Sequence, residues 1–365
     1  MRCMDKTPIK ILMLVNWKVR YLRERADDLQ PPDQYVYGEP YWFFRYFEQP
    51  PEVDVIDISS FKWLEEFEKN RVRFYIWQTL KAIPRLWKYD LIISHGMQSG
   101  VVLSLWRRFF KTKARHMVFD IGSFNSAAEH GLALRLMQFS SRSLDRVIYH
   151  TSSQRGYYEQ VFPWILERSR FIRFGTDLDL FDPGDLHNSP GHGRYIICVG
   201  YAKRDWDTLV KAYKRLKTEI KLRLIGHVEE RYSGVCGIEQ LPFIPIKELI
   251  EQIHNALFSV LPLETFNYSY GQMTLMQQMA LGKCVIAAKV PSLVDYVQDG
   301  ETAIFYEPKN VGDLSRKMSS LIEDRKKCEQ IGRNGREYLL KNCNEKKMAA
   351  EIDKEILDVC KGHRR

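Results

Sequence analysis

The sequence predicts an α/β protein made of two parallel-sheet domains. Three observations carry that expectation. Short, continuous apolar runs at residues 9–15, 195–199 and 285–288 read as strands buried on both faces, the habit of a parallel sheet. Stretches with helical spacing lie between such runs: Leu209, Ala212, Tyr213 and Leu216 share one helix face, and Met273, Leu275, Met276, Met279 and Ala280 space out another helix. The 365 residues suit two domains, each able to bury its own core. Residues 185–194, with Pro190, Gly191 and Gly193, read as the linker.

A hydrophobic fraction of 45% and a charged fraction of 28% are those of a globular protein. No uninterrupted run approaches the ~20 apolar residues of a membrane span. No apolar stretch precedes the first strand, so no secretory leader is expected. The seven cysteines are scattered, with no CxxC pair and no histidine cluster at zinc spacing. That argues against structural zinc and a secreted disulfide framework, and for a reducing, cytoplasmic compartment. The net charge of +9 reads as a solvated basic surface, an anionic membrane surface as partner, or an anionic ligand. Nucleic acid is not expected, because no nucleic-acid motif is visible.

Taken in order, residues 9–15 form the first strand. A dinucleotide-binding fold would follow it with GxGxxG; Asn16-Trp17-Lys18-Val19-Arg20 stands there instead, which disfavours nicotinamide and flavin enzymes. Residues 20–37 are charged and Pro-containing and read as a long loop. Gly38-Glu39-Pro40 opens an aromatic helix over residues 41–47, with the proline well placed near its start. Trp42, Phe43 and Tyr46 of that helix read as core. Residues 53–58 are the second strand. Residues 69–88 read as a basic aromatic helix broken near Pro84, and residues 106–111 repeat its composition. Tryptophan and cations beside an apolar face suit an anionic membrane interface; they also suit ordinary surface helices. Residues 90–94 form a strand ending at His95, and residues 117–119 one ending at Asp120-Ile121-Gly122-Ser123. Open parallel sheets gather ligands at the carboxyl ends of their strands, so His95 and Asp120 are the polar candidates of this half. Both residue types also serve as caps and turn residues. A strand at 146–149 is followed by His150 and a helix start.

The second half opens with the strand 195–199, followed by Gly200-Tyr201-Ala202-Lys203-Arg204-Asp205. Residues 221–225 form another strand and 246–256 a helix. Residues 258–263 are a buried strand, and a polar and aromatic loop then leads to Gly271 and the helix that Gly282 caps. A glycine leading into a helix start presents free N–H groups and the positive end of a helix dipole, a setting suited to phosphate. Residues 313–322, 329–340 and 344–359 are the last helices. Asp177-Leu178-Asp179 and Asp205-Trp206-Asp207 each spell DxD, but the second sits at a helix start, where aspartate is a natural cap, so no metal role is expected.

Met279-Ala280-Leu281-Gly282-Lys283-Cys284-Val285-Ile286-Ala287 resembles the EAMAxGxPVIA run of the GT-B glycosyltransferases, in particular the glycosyltransferase family 4-like group (glycosyl transferases group 1). Residues 294–302 resemble that family's GxxExVxDGxTG, residues 171–183 its IxNGVDxxxFxP strand-plus-linker motif, and residues 221–226 its LxIxG strand. The resemblance covers most of residues 171–345 with specific motifs, and residues 1–170 by strand order. It implies the GT-B fold, two Rossmann-like parallel-sheet domains facing a central cleft. Residues 1–182 would be the acceptor-side domain, 183–343 the nucleotide-sugar-binding domain, and 344–365 a helix packing back on the first.

The resemblance also implies site residues. Arg204 stands where the family has a lysine on the diphosphate, with Lys203 as the next candidate; both also read as solvated loop charges. Gly200 and the N–H groups of Gly271, Gln272 and Met273 would hold the phosphates. The loop with Phe243 and Ile244 would hold the base by its backbone. The family's paired glutamates fall on Ser269 and Gln277, and neither is a carboxylate. Gln277 can still hydrogen-bond a ribose hydroxyl, less strongly than a carboxylate would. His95 and Asp120 would approach the sugar from the facing domain.

The function expected is a retaining glycosyltransferase, acting without cofactor or metal. It would move a sugar from a UDP- or GDP-sugar to a glycan or lipid-linked acceptor in cell-envelope polysaccharide or glycoconjugate synthesis. It would be cytoplasmic and peripheral on the inner face of the membrane, through residues 69–88 and 106–111. The alternatives are a GT-B nucleotide-sugar epimerase or hydrolase, and a catalytically silent glycosyltransferase-like binding protein, which the two missing glutamates motivate.

Overall fold

The computed structural model describes residues 8–361, other than 27, 123, 125–129, 183, 185–194, 201, 227, 228 and 267. The expected linker at 185–194, the domain start at 183, and Ser123, Tyr201 and His227 therefore lie outside the described residues. The chain forms two compact units: residues 1–172, 267–269 and 348–365, and residues 173–266 and 270–347. The first division comes earlier than residue 182 because Arg173 and Phe174 are fastened within the second unit. The Arg173 Nε donates to the Asp295 carbonyl at 3.1 Å and the Phe174 N–H to the Tyr296 hydroxyl at 2.9 Å.

In the first unit the chain runs β1 (Lys10–Leu14), β2 (Arg20–Leu22), β3 (Gln34–Val36), β4 (Glu52–Ile56), α1 (Lys62–Phe67), α2 (Ile76–Ala82), β5 (Leu91–His95), α3 (Met97–Phe109), β6 (Arg115–Asp120), α4 (Leu132–Ser141), β7 (Arg146–Tyr149), α5 (Gln154–Val161) and β8 (Ser169–Phe171). Six of these strands pair in parallel in the order β4-β1-β5-β6-β7-β8. In β1 only Lys10 is exposed, and β5 is buried throughout, which is why both read as unbroken apolar runs. Leu12, Leu14, Ile56, Ile92 and Leu103 share one core, and Val118, Val147, Met97, Val101 and Phe124 another. His116 is buried between the Ser94 hydroxyl at 2.9 Å and the Ser104 hydroxyl at 3.3 Å, and burial holds its pKa well below the usual value.

Three stretches depart from expectation. The loop at 20–37 contains the short parallel pair β2–β3. The tyrosines of that pair cover β4, the edge strand: the Tyr21 hydroxyl donates to the Val55 carbonyl at 3.2 Å and the Tyr35 hydroxyl to the Val53 carbonyl at 3.1 Å. The aromatic helix is a 3-10 segment, Trp42–Tyr46, with Trp42, Phe43 and Phe44 buried. The basic aromatic helix is broken twice. A π turn at Glu68–Val72 ends on Arg73 in the left-handed region, α2 follows, and Pro84 lies in a 3-10 segment, Ile83–Lys88. Glu68 is buried and accepts the Trp77 N–H at 2.7 Å, which anchors the start of α2.

The second unit runs β9 (Tyr195–Val199), α6 (Trp206–Arg215), β10 (Lys221–Ile225), β11 (Ile238–Leu241), α7 (Ile246–His254), β12 (Ser259–Leu261), α8 (Gln272–Ala280), β13 (Val285–Ala288), β14 (Ile304–Tyr306), α9 (Val311–Glu323) and α10 (Arg325–Asn342). Its strands are parallel in the order β11-β10-β9-β12-β13-β14. One continuous core, with Ile196, Leu224, Val260, Leu275 and Ile286 fully or nearly fully buried, joins sheet to helices. The last helix, α11 (Glu345–Lys361), belongs from Met348 onward to the first unit. There Glu355 and Asp358 pair with Arg146, the former at 3.2 Å. Among the described residues no helix is long and apolar enough to cross a membrane.

Candidate functional site

An open parallel sheet leaves a crevice where its strand order reverses, at the carboxyl ends of the two strands that part there. In the second unit those strands are β9 and β12, and in the first they are β1 and β5. The sequence candidates collect beside these two places.

After β9 the chain turns through Gly200 at φ 133°, and a Cβ there would meet the Arg204 guanidinium at 2.3 Å. Glycine thus leaves the space that the arginine fills. Lys203 follows in the left-handed region at φ 54°, a strained setting for a lysine. The loop is stitched to the end of β12: Arg204 bridges Leu263, the Asp205 N–H donates to the Pro262 carbonyl at 2.7 Å, and the Glu264 N–H to the Lys203 carbonyl at 3.2 Å. Asp205 caps α6 by accepting the Thr208 N–H at 3.0 Å and hydroxyl at 2.7 Å. In the other DxD, Asp177 accepts the Asp179 and Leu180 N–H groups.

Arg204 is 7% exposed. Its guanidinium donates to the Val199 carbonyl (3.2 and 3.1 Å), the Ala202 carbonyl (3.1 Å), the Tyr270 hydroxyl (3.3 Å) and the Thr274 hydroxyl (3.3 Å). All these acceptors are neutral. Among the described residues Arg204 has no carboxylate partner. A buried cation balanced by dipoles alone favours an anion beside it.

Thr274 lies in the first turn of α8. That helix starts after Gly271, at φ 84°, where a Cβ would meet the Leu263 side chain at 2.3 Å; no side chain caps it. The Gln272, Met273 and Thr274 N–H groups therefore have no intrahelical acceptor. Gln272 is buried, and its side-chain Nε2 has no hydrogen-bond partner among the described residues. Gln277 is buried on the same helix, and Met273 is exposed. Ser269, just before Tyr270, is half-buried and makes no hydrogen bond among the described residues.

Lys203 stands over two rings, its Nζ 4.6 Å from the centres of both Phe266 and Tyr270. Burial lowers its pKa, with Glu264 opposing the shift. The Tyr270 hydroxyl also bonds the Ala202 carbonyl, and the Ser292 hydroxyl holds the Tyr270 carbonyl at 2.8 Å. Phe243 is exposed beyond the carboxyl end of β11, and Ile244 packs into the core.

In the first unit His95 ends β5 and Asn16 follows β1, so the reversal brings them together: His95 Nδ1 lies 3.2 Å from the Asn16 amide oxygen. The imidazole meets Trp17 edge-on at 4.6 Å and Trp42 at 6.0 Å. Trp42 holds φ 48°, an outlier for so large a residue. Burial, helped by His150, pushes the His95 pKa down to about 3; burial alone pushes His150 to about 4, against the Ile172 carbonyl that its Nδ1 contacts at 2.8 Å. His95 is therefore neutral throughout the ordinary pH range. With Nδ1–H toward Asn16, its Nε2 is an acceptor.

Asp120, at the end of β6, is fully buried and turned into its own loop. One carboxylate oxygen accepts the Gly122 N–H at 2.9 Å and the Phe124 N–H at 3.4 Å. The other accepts the Gln154 amide at 2.9 Å and the Tyr158 hydroxyl at 2.5 Å. These bonds tie Asp120 to Gly122 and Phe124, directly after β6, and to α5. Sequence reasoning gave no site role to Asn16, Trp17 and Thr274, and met Tyr270 only in the Tyr270-Gly271 pair that stands near the place of the family's FG dipeptide. The place of Asn16-Trp17, directly after the first strand, was the available signal for the first two; Thr274 declares itself only by its contact with Arg204.

Two Rossmann-like parallel-sheet domains, one with an anion-suited switch point, are the domains of the GT-B glycosyltransferase fold. Residues 186–338 match the family described as glycosyl transferases group 1. The chain is 27% identical to an uncharacterised glycosyltransferase of Methanocaldococcus jannaschii over 258 residues, 68% of this chain and 70% of that one. It is 23% identical to the D-inositol 3-phosphate glycosyltransferase of Nocardia farcinica over 278 residues, 67% of this chain and 61% of that one. Its fold is similar to that of sucrose-phosphate synthase from Thermosynechococcus elongatus (TM-score 0.69, 18% identity, covering 97% of this chain and 100% of that one). It is also similar to Anabaena HepE in complex with UDP-glucose (TM-score 0.68, 16% identity, covering 96% and 99%).

Proposed function

We propose that this glycosyltransferase moves a sugar from a nucleoside diphosphate sugar to a glycan or lipid-linked acceptor, with retention of configuration and without a metal. The observation that carries the donor is Arg204, a buried guanidinium with only neutral partners, set against the uncapped start of α8. As the glycosidic bond breaks, negative charge grows on the diphosphate. A cation and free N–H groups already in place stabilise it without reorganisation. Arg204 and the Gln272 and Met273 N–H groups take the phosphates, Lys203 leaves its rings to join them, and Gln277 binds the ribose. The loop of Phe243 and Ile244 takes the base. A UDP-sugar is favoured over a GDP-sugar by the UDP-glucose named with the Anabaena neighbour.

On the retaining route the leaving phosphate oxygen accepts the acceptor's proton on the face it departs from, so no protein base is required. His95, held neutral by burial, fits that route: it accepts a hydrogen bond from a substrate hydroxyl without titrating. Asp120 acts through its loop as a positioning residue. The setting is cell-envelope polysaccharide or glycoconjugate synthesis, in the cytoplasm and peripheral to the inner face of the membrane.

Thermal melting against UDP, GDP, ADP and CDP, with EDTA and then with added divalent metal, tests the reading. A ligand that binds only the folded state raises the melting temperature by mass action. A shift with UDP that survives EDTA is the expected result. No shift with any nucleotide, from a protein that melts cooperatively, would favour a silent binding protein and make Ser269 and Gln277 its cause.

A further inference from the structure

We infer that the amino-terminal edge of the first unit's sheet, opposite the edge that carries His95 and Asp120, docks on an anionic lipid surface through Trp87, Phe109, Phe110 and Phe139 and the cations among them. This deepens the peripheral-membrane reading above and rests on it. The register places the surface. Leu91 of β5 pairs with Arg115 of β6, and Met117 of β6 with Arg146 of β7, so the three strands begin at one edge. The segments entering there are the end of the 3-10 turn at Ile83–Lys88, the end of α3 and the end of α4.

Those three segments expose large rings. Trp87 and Phe109 are each 72% exposed, Phe110 51% and Phe139 41%. Phe109 packs against Phe139 with centroids 6.1 Å apart, and Phe110 stacks on Trp106 at 4.0 Å. Single exposed rings are ordinary, but the touching pair Phe109 and Phe139, with Phe110 next in the chain and Trp87 on the third segment of the same edge, marks an interaction surface. Cations are interleaved with them: the Arg108 guanidinium lies 4.8 Å over the Phe139 ring, Lys88 5.5 Å over Trp87, and Arg142 3.9 Å over Trp164.

The carboxylates paired at the edge each meet a cation: Asp90 meets Lys113 at 3.8 Å, Asp145 meets Arg107 at 2.9 Å and Arg115 at 3.0 Å, and Glu355 and Asp358 share Arg146. Lys88, Arg108, Lys111 and Arg142 have no carboxylate partner among the described residues. Rings that enter at headgroup depth, ringed by cations that meet lipid phosphates, are the chemistry of an anionic interface. The surface is not the one composition suggests. It gains α4, which the sequence did not single out, and loses residues 69–76, where the chain is a π turn and a half-buried stretch.

Co-sedimentation with phosphatidylcholine vesicles, with and without phosphatidylglycerol, tests the inference. The protein is expected to sediment with the anionic vesicles only. Arg108→Gln with Lys111→Gln, which removes two surface cations, should weaken that binding on the order of thirtyfold. Phe109→Ser with Phe139→Ser should weaken it about tenfold or more. Lys326→Gln with Lys327→Gln, exposed cations of α10, should leave it unchanged. No binding to anionic vesicles overturns both the surface and the peripheral reading. Binding that survives both changes at the edge, or that falls equally in the α10 variant, overturns the surface alone. So does a concentration-dependent dimer that the Phe109 and Phe139 changes dissolve. The UDP-induced melting shift, read on the same variants, reports on donor binding separately and is expected to persist.

Discussion

At the β9/β12 opening of the second sheet stand Arg204, Lys203 and the bare start of α8; at the β1/β5 opening of the first stand His95, Asn16 and two indoles. Topology supplies the same crevice twice, and side chains then set its chemistry. One opening collects positive charge, and among the described residues its buried guanidinium, Arg204, has no carboxylate partner. The other collects rings around an imidazole that burial keeps neutral. The difference suits the two halves of a group transfer, in which one partner leaves as an anion and the other arrives as an alcohol.

Arg204→Ala would break the comparison most directly. Removing one preorganised donor at a site of developing charge costs about a hundredfold to a thousandfold in kcat. The five hydrogen bonds of Arg204 tie it into the fold as well, so melting should also fall, by about 1–3 kcal/mol of stability, more than a solvated loop charge would cause. Steady-state kinetics and calorimetry on the variant separate the two effects. Unchanged kcat would remove Arg204 from the site.

Asp120→Ala addresses the first unit. Losing a buried carboxylate that accepts hydrogen bonds from Gly122, Phe124, Gln154 and Tyr158 should destabilise the protein by about 3 kcal/mol. The UDP-induced melting shift should remain, because the aspartate supports a loop of the other unit. Loss of that shift at full stability would make Asp120 a ligand-binding residue instead.

The neutral imidazoles give a pH signature. The folded pKa values of His95, about 3, and His150, about 4, lie below the ordinary 6.5, so the unfolded chain takes up protons first as pH falls. Their contribution is complete above about pH 6.5 and is lost progressively below it, at up to about 1.4 kcal/mol per pH unit for each. Denaturant melts between neutral and mildly acid pH should show this slope, and His95→Gln should flatten it. Turnover between pH 6.5 and 8 should show no limb that His95→Gln removes.

Gln277→Glu is the smallest change and sharpens the second unit. A carboxylate on a ribose hydroxyl makes a stronger hydrogen bond than an amide does, so UDP should bind a few-fold more tightly. Titration calorimetry reads this; weaker binding would place Gln277 away from the ribose.

Much of the fold was legible because parallel strands buried on both faces have a plain signature. β1, β5, β9 and β13 stand in the sequence as apolar runs. β14, of three residues, is too short for a pattern, and β2 and β3 hide among charges because they pair outside the main sheet. Trp42 reads as helical, but its left-handed backbone follows from tertiary packing. At the site, the glycine before α8 could be found from the loop-to-helix transition, and the cation after Gly200 from the resemblance to the GT-B glycosyltransferases. The roles of Tyr270 and Thr274 could not, since they depend on where Arg204 ends up. The inward turn of Asp120 likewise follows from Tyr158 and Gln154, more than thirty positions along the chain.

The hydroxyls of Tyr21 and Tyr35 bear on solubility. β4 is the open border of its sheet, and the Val53 and Val55 carbonyls are its unused acceptors. An unprotected border of that kind recruits strands from neighbouring molecules and seeds aggregates. With each carbonyl already taken by a phenol, a foreign strand would find no ladder to extend, and a concentrated preparation is guarded at the place where a parallel sheet is most exposed to its own copies.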